Sequence, residues 1–431
     1  MLVVVLFVPT RASFASHFSL PATPSAISIS SAFVIRAFLK GRNKQSGYLL
    51  WLAYPHIYIY LPIKANMTSS EDRVFCLSVL VSFLDAPELL DVLKISKSLR
   101  HRLRHFASVI YVPSIRPFRM LSSLLKCLLT VFPKASALVL HYESRDDLFH
   151  ALPQAFLFTH LIELKLVQDG PHGADLSGLR LLSTIPKTLP TRLKSLSLIN
   201  IGPISPSCLA AFTSPHLQHL TLTNSPSLAD FMLQDVCALC PSLVSLNLDG
   251  VPSIVSPTLS LSNLQELRVI ACPSLRQIDL LVRHDKLRLL DFSFSYQLAC
   301  LPNLSYNLRH LVLSYNQELE NLELDCPSLQ YLTVNWCSYV TSIRLDKCYS
   351  LKQFNYMENT LLSVLILNDP LVLERVDFSF SDSLEQLSID CAPILKECLL
   401  YECPSLQSVT LKGTSPSVLK SEKKLQILVL D

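Results

Sequence analysis

The sequence predicts an α/β solenoid: parallel-stranded coils that carry helices towards the N-terminus and strands on two sides towards the C-terminus, preceded by a small helical segment. Three observations predict it. Between residues 264 and 411 an apolar phrase recurs about every eleven residues, from Leu264-Leu267-Val269, Leu275-Ile278-Leu280 and Leu287-Leu290-Phe292 to Leu406-Val409-Leu411; a fixed period of this kind governs every later assignment. Before residue 260 the same phrase returns at wider intervals, with helical patterning between. The composition, 50% hydrophobic and 16% charged with a mean hydropathy of +0.36, is too apolar for a disordered chain. Each coil of a solenoid packs only on its neighbours, so 431 residues need not be divided into several compact domains.

Four segments follow in order. Residues 1–66 differ from the rest and read as a poorly structured extension: an apolar start (Leu2 to Val8), a Ser/Ala/Pro-rich run at 12–32, a basic patch (Lys40 to Lys44) and an aromatic-apolar run from Tyr48 to Ile63. A secretory signal lacks its basic n-region here, whereas an organelle transit peptide fits the Arg and Ser without acids. A membrane anchor at 48–63 is too short and is interrupted by Pro55, His56 and Pro62. Alternatively translation begins at Met67, which opens the helix-capping run Thr68-Ser69-Ser70-Glu71-Asp72. A start there predicts a cytoplasmic or nuclear protein; organelle targeting or secretion follows only if the first 66 residues are real.

Residues 67–108 are predicted helical. Leu77, Leu80, Val81 and Leu84 share one helical face. Asp85-Ala86-Pro87-Glu88 stops that helix and starts another, with Asp85 as N-cap, and a basic amphipathic run from Leu99 to Phe106 follows. With Phe83, Leu89, Leu90, Leu93, Ser96 and Lys97, the segment resembles the F-box, although Val74-Phe75-Cys76 stands where that family has Leu-Pro. The resemblance covers about 40 residues. It implies that Leu80, Leu84, Leu89 and Leu93 bind the adaptor of a Skp–cullin–F-box ubiquitin ligase. The other reading of the same helices is a cap over the open end of the array, which repeat proteins need in any case.

From 109 to 263 the strand phrases are Phe106-Val109-Tyr111, Ala135-Leu138-Leu140, Leu161-Leu164-Leu166, Leu193-Leu196-Leu198, Leu217-Leu220-Leu222 and Leu243-Leu246-Leu248. Helices are predicted between them at 120–132, 145–158, 207–212 and 229–239, and residues 169–191 read as a loop insertion. From 264 to 431 two phrases fill each coil of roughly 22 residues. No room remains for a helix, so a strand is expected on each side of a flattened coil.

The LxxLxL phrase resembles the strand signature of leucine-rich repeats. That resemblance implies that the ninth position points inward and satisfies loop backbone groups. Cys272, Cys337, Cys348 and Cys403 occupy it, as do Asn316 and Asn359. Buried free thiols act as small hydrophobes with a weak donor, so the 13 cysteines predict neither a disulfide framework nor zinc. The lone CxxC, Cys237 to Cys240, reads as core.

Little points to catalysis. The chain has 8 glycines and neither GxGxxG nor GxxxxGK[ST]; its 12 histidines form no HExxH; and GxSxG is absent. His141 and Glu143 read as a solvated pair, and Asp279, Asp291, Glu323 and Asp377 as solvated outward carboxylates. No catalytic, metal or cofactor residue is predicted. The formal charge of +3 comes from six basic residues before residue 67; the remainder carries 31 basic against 34 acidic residues, with no basic stripe for nucleic acid. The eighth residue of alternate repeats gives Ala271, Phe294, Tyr315, Trp336, Glu358, Phe380 and Glu402, whereas the other side gives Val282, Ser305, Cys326, Lys347, Asp369, Cys391 and Gly413. Aromatics therefore fall on one side only. Phe294, Tyr315, Trp336 and Phe380 either form a stripe about 20 Å long that faces a protein partner, or fold back to shield the core edge. Together these readings describe a non-enzymatic, protein-binding chain, by resemblance the substrate-recognition subunit of a ubiquitin ligase. The alternatives are a scaffold or regulator without a ubiquitin link, and a secreted or membrane-tethered recognition protein.

Overall fold

The computed structural model describes residues 6–7, 48–54, 57–63, 109–112, 118–169, 192–281, 284–356, 358–413, 419–421 and 426–430. The F-box-like segment, with Leu80, Leu84, Leu89 and Leu93, lies outside the described residues, as do Val282 and most of the expected loop at 169–191. The chain forms two compact units, residues 1–80 and 81–431. In the first, strands Tyr48–Tyr54 and Ile57–Ile63 pair antiparallel, and Leu6–Phe7 adds to the latter. Among the described residues no helix is long and apolar enough to cross a membrane.

The second unit is a parallel β-solenoid. A 14-stranded sheet runs from Val109–Val112 to Leu419–Ser421, one strand per coil. Alternation decides which residues enter the core. In Ser245–Asp249 and Glu266–Ile270 every second side chain is buried, and the coils stack in register, Leu246 beside Leu267 and Leu267 beside Leu290. The resulting core is continuous; Phe354, Tyr356 and Phe378 meet edge-on within it at centroid distances of 5.4–6.4 Å.

The first strand departs from the expected register. Ile110 and Val112 point inward, while Val109 and Tyr111 are exposed. The predicted phrase Phe106-Val109-Tyr111 is thus off by one residue. Val109-Ile110-Tyr111-Val112 is apolar at both parities, so the pattern carries no information about which face is buried, and a one-residue slip exchanges the faces.

Helices occupy the far side of the early coils: Phe118–Val131, Arg145–Ala155, Pro206–Ala211 and Asp230–Leu239. The third starts cleanly because the Ser205 hydroxyl accepts from the Cys208 amide and Pro206 needs no N–H partner. Asp230, in the first turn of the fourth, accepts the amides of Val255 and Ser256 at 3.0 and 2.9 Å and ties the helix to the next coil. Beyond Leu239 no helix occurs among the described residues. The far side instead carries strands: a pair at Thr258–Leu259 and Asp279–Leu280, then a six-stranded parallel sheet from Asn321–Asp325 to Gln426–Leu430.

From the repeat at Leu264 onward, the ninth position of each long-sheet repeat belongs to an interior ladder. Cys272, Ser295, Asn316, Cys337, Asn359, Ser381 and Cys403 are all buried. Each reaches a carbonyl that the turning backbone would otherwise strand: the Ser295 hydroxyl donates to Val269 at 3.2 Å, Asn316 and Cys337 both donate to Leu313 (2.7 and 2.9 Å), Asn359 to Val334 (2.8 Å), and Ser381 and Cys403 both to Phe378 (2.8 and 3.2 Å). Asn316 and Asn359 also accept the amides of Ser295 and Cys337 from the preceding coil. The described cysteines are all free thiols.

Two outcomes follow. Asn316→Ala strips the Ser295 amide of its partner inside the core and leaves the Leu313 carbonyl with the Cys337 thiol alone. At about 1–3 kcal/mol for one stranded group, urea unfolding should show a loss of roughly 1–3 kcal/mol; a loss below about 0.5 kcal/mol would mean the ladder is not structural. Burial also pushes the thiols of Cys272 and Cys348 up to about 11 and those of Cys326 and Cys337 to about 12, from an ordinary 9.0. The unfolded chain therefore releases these protons first as pH rises, so stability held below about pH 9 is lost between roughly pH 9 and 12. The urea midpoint should be level from about pH 7 to 8.5 and fall above about pH 9.

Candidate functional site

From the repeat at Leu193 to that at Leu395, the eighth residue of each long-sheet repeat is a backbone corner. Asn200, Asn224, Gly250, Ala271, Phe294, Tyr315, Trp336, Glu358, Phe380 and Glu402 all have φ between 50° and 65°. The left-handed turn aims the amide across to the next coil: Phe294 N–H donates to Ser314 and Tyr315 N–H to Asn335, both at 2.9 Å. Early rungs meet this demand with suitable residues. Asn200 and Asn224 tolerate the conformation and bond to each other through their side chains at 2.5 Å. Gly250 adopts it without strain, and a Cβ there would press on the Asn224 side-chain oxygen, which would have to shift.

Three consecutive later rungs carry aromatics instead. An L-residue in this conformation costs about 1–2 kcal/mol relative to the right-handed region. The rings of Phe294 and Tyr315 stack at 4.5 Å and 12°, those of Tyr315 and Trp336 at 5.6 Å and 5°. Such stacking returns roughly 0.5–1.5 kcal/mol per pair, so it offsets the backbone strain without explaining why the strain was taken on. Phe294 remains 39% exposed, Trp336 43% and Phe380 42%, with Tyr315 half-buried between its neighbours. The four are not one stripe: Glu358 separates Trp336 from Phe380, which lies next to Glu402 on its other side.

The outer face of the long sheet adds residues that sequence reasoning missed. At the third position of the same repeats lie Leu289, His310 and Tyr331, in register. The His310 and Tyr331 rings stack at 4.8 Å and 13°, and Tyr331 is 38% exposed. The signal was present in the same repeats, five positions upstream of the corner. Asp291 and Asp377, read as solvated, turn back to accept the amides of Ser293 and Ser379 and end their strands. His141, paired with Glu143 in the sequence reading, instead holds Asp169 at 2.8 Å and packs on Tyr111.

The other side differs. Lys347, Asp369, Cys391 and Gly413 share the left-handed corner, but Cys326 does not; it is buried. The repeats at Leu319 and Leu329 are ten residues apart rather than eleven. The missing residue is the corner one, and Cys326 takes the inward slot in place of the outward column assigned to it. Charged and amide groups tie these rungs: Lys347 to Asp325 at 2.7 Å, Asn368 to Asp346 at 2.6 Å and Lys412 to Asp390 at 3.3 Å. The two ion pairs are exposed, so solvent screening leaves them contributing little to stability.

No protein-family model matches the chain, and no curated protein matches it in sequence. Among solved structures, the LRIM1/APL1C complex is similar over 70% of this chain and 62% of that one, at 14% identity and a TM-score of 0.32. The TLR13–ssRNA13 complex is similar over 74% and 62%, at 15% identity and 0.25. The plant peptide hormone receptor RGFR1 with RGF2 is similar over 74% and 77%, at 13% identity and 0.22. The chain thus spans 62% of the length of the first two. At these scores the solenoid rests on its own strand pairing rather than on the likeness.

The corner geometry sets a substitution series. Trp336→Gly loses stacking but relieves the left-handed strain, so it should unfold within about 1 kcal/mol of the wild type, whereas Trp336→Ala should be less stable than Trp336→Gly by about 1 kcal/mol. Denaturant titration of the three proteins reads both differences, and an alanine variant more stable than the glycine one would refute the strain.

Proposed function

We propose that the chain is a non-catalytic protein-binding protein whose solenoid holds a partner through the Phe294–Tyr315–Trp336 stack, with Phe380 as an outlying contact. One observation carries this reading: three successive corners present stacked, partly exposed rings, where the corners on either side of them hold Ala271 and Glu358 in the same backbone conformation. Aromatic anchors dominate interface energetics, and an exposed apolar cluster on a protein surface marks a place of contact. Buried ladder thiols with raised pKa values do not supply the thiolate that a cysteine-dependent ligase needs.

The same proposal gives residues 67–108 the adaptor-binding role that their F-box resemblance implies, through Leu80, Leu84, Leu89 and Leu93. The chain would then bring a substrate lysine near a charged conjugating enzyme, and other subunits would transfer the ubiquitin, a proximity effect.

The two halves are tested separately on the full chain. Binding to a purified Skp-type adaptor should be lost in Leu84→Asp/Leu89→Asp; no binding by the wild type would leave a scaffold without a ubiquitin link. Partner capture compared by quantitative mass spectrometry should fall at least about tenfold in Tyr315→Ala/Trp336→Ala, as expected for anchors worth about 2 kcal/mol or more. Capture unchanged in that variant, with a Tyr349→Ala control alongside, would remove the stack from the interface.

A further inference from the structure

One rung of the far-side sheet is missing. Strands Thr258–Leu259 and Asp279–Leu280 pair in parallel, the half-coil beginning at Leu298 forms no strand, and Asn321–Asp325 begins the six-stranded sheet as its end strand. Pro302 sits where the absent strand would run, and a proline has no N–H to give a ladder. The coil stays closed at its corners, where Ala299 N–H donates to Arg276 and Glu318 N–H to Tyr296, at 3.0 and 3.2 Å. Between those corners it stands away from the sheet. A cleft of about 990 Å³ separates residues 299–304 and Tyr306 from residues 320–326. Among the described residues no backbone hydrogen bond crosses it.

The cleft has two kinds of wall. Leu301 and Leu304, partly exposed, supply apolar surface, while Leu322 and Leu324 are buried in the core; Glu318, Glu320, Glu323 and Asp325 supply acid. Lys347 neutralises Asp325, whereas no ion pair engages the other three carboxylates among the described residues. We propose that this cleft takes an extended segment of a partner protein in which lysine or arginine alternates with apolar residues, added to the free edge of Asn321–Asp325 as the missing strand. Backbone groups of the edge give the affinity, and side chains alternating in direction meet the leucines and the glutamates in turn. A second copy of this chain is disfavoured as the occupant, because edge-to-edge pairing would set Glu320 and Glu323 against their own counterparts. Charged residues on an edge strand act against self-pairing in this way. The site lies on the opposite sheet from the aromatic stack and does not depend on it.

The test uses the full chain and a fluorescein-labelled peptide of about eight residues alternating valine and lysine, followed by anisotropy. Two control peptides carry glutamate for lysine, or N-methyl groups on alternate backbone amides. The valine–lysine peptide should bind, and each control should bind at least about tenfold more weakly. Glu320→Lys/Glu323→Lys should weaken binding by a similar factor, Trp336→Ala should leave it unchanged, and amide exchange at 321–325 should slow when peptide is present. No binding of the valine–lysine peptide overturns the proposal. So does equal binding of the N-methylated peptide, which would indicate charge attraction alone, or undiminished binding to a charge-reversed variant that unfolds at the wild-type temperature. If that variant does not fold, the N-methyl comparison and the exchange measurement on the wild type decide the matter.

Discussion

Everything in the solenoid depends on turning a backbone through a dry interior at intervals of about eleven residues without stranding its polar groups. Buried carbonyls must find donors, and a chain that doubles back this often has few main-chain partners at its corners. Two devices, one residue apart, solve the problem. The eighth residue adopts a left-handed conformation and sends its amide to the following coil, as Tyr315 does to Asn335. The ninth sends a side chain inward, as Cys337 does to the Leu313 carbonyl. Thiol, hydroxyl and amide alternate in that slot because each is small and can donate. The leucines provide bulk hydrophobic energy, but the ladder sets the path that lets them stack in register.

The two sides of the later coils use this scheme differently. The long sheet is unbroken through 14 strands, and its corners include the aromatic trio. The far side is assembled from helices, then a two-stranded remnant, then a six-stranded sheet. Its rungs are linked by surface groups such as Lys347 with Asp325, which specify little and stabilise weakly. Irregularities collect there: a proline in one half-coil and a missing corner residue in the next. The side with the weaker geometric demand is the one that departs from the repeat.

Much of this could be read from residue order. The period of the leucines located the strands, and the shift from intervals of 24–32 residues to eleven separated helix-bearing coils from two-sided ones. The inward thiols were recognisable from their column. Failures have physical causes. Val109 to Val112 is apolar on both faces, so periodicity could not choose between Ile110 and Val109 as the buried residue. Cys326 was placed outward by counting from Leu319, because a deletion inside one half-coil leaves its leucine pattern intact. The strained backbone beneath Phe294, Tyr315 and Trp336 was hidden because aromatic residues do not advertise a left-handed conformation. Asn200, Asn224 and Gly250 do, and they stand in the same column.

Position within the array adds a consequence for motion. In a stack where each coil touches only its neighbours, opening starts at the ends and must break one interface after another to travel inward. The strands beside the aromatic corners, Leu289–Asp291, His310–Val312 and Tyr331–Thr333, have at least four strands on either side. They belong to the part of the solenoid that frays last. The exposed rings therefore ride on backbone set well in from the fraying ends of the long sheet, and docking on them would leave little main-chain disorder to remove.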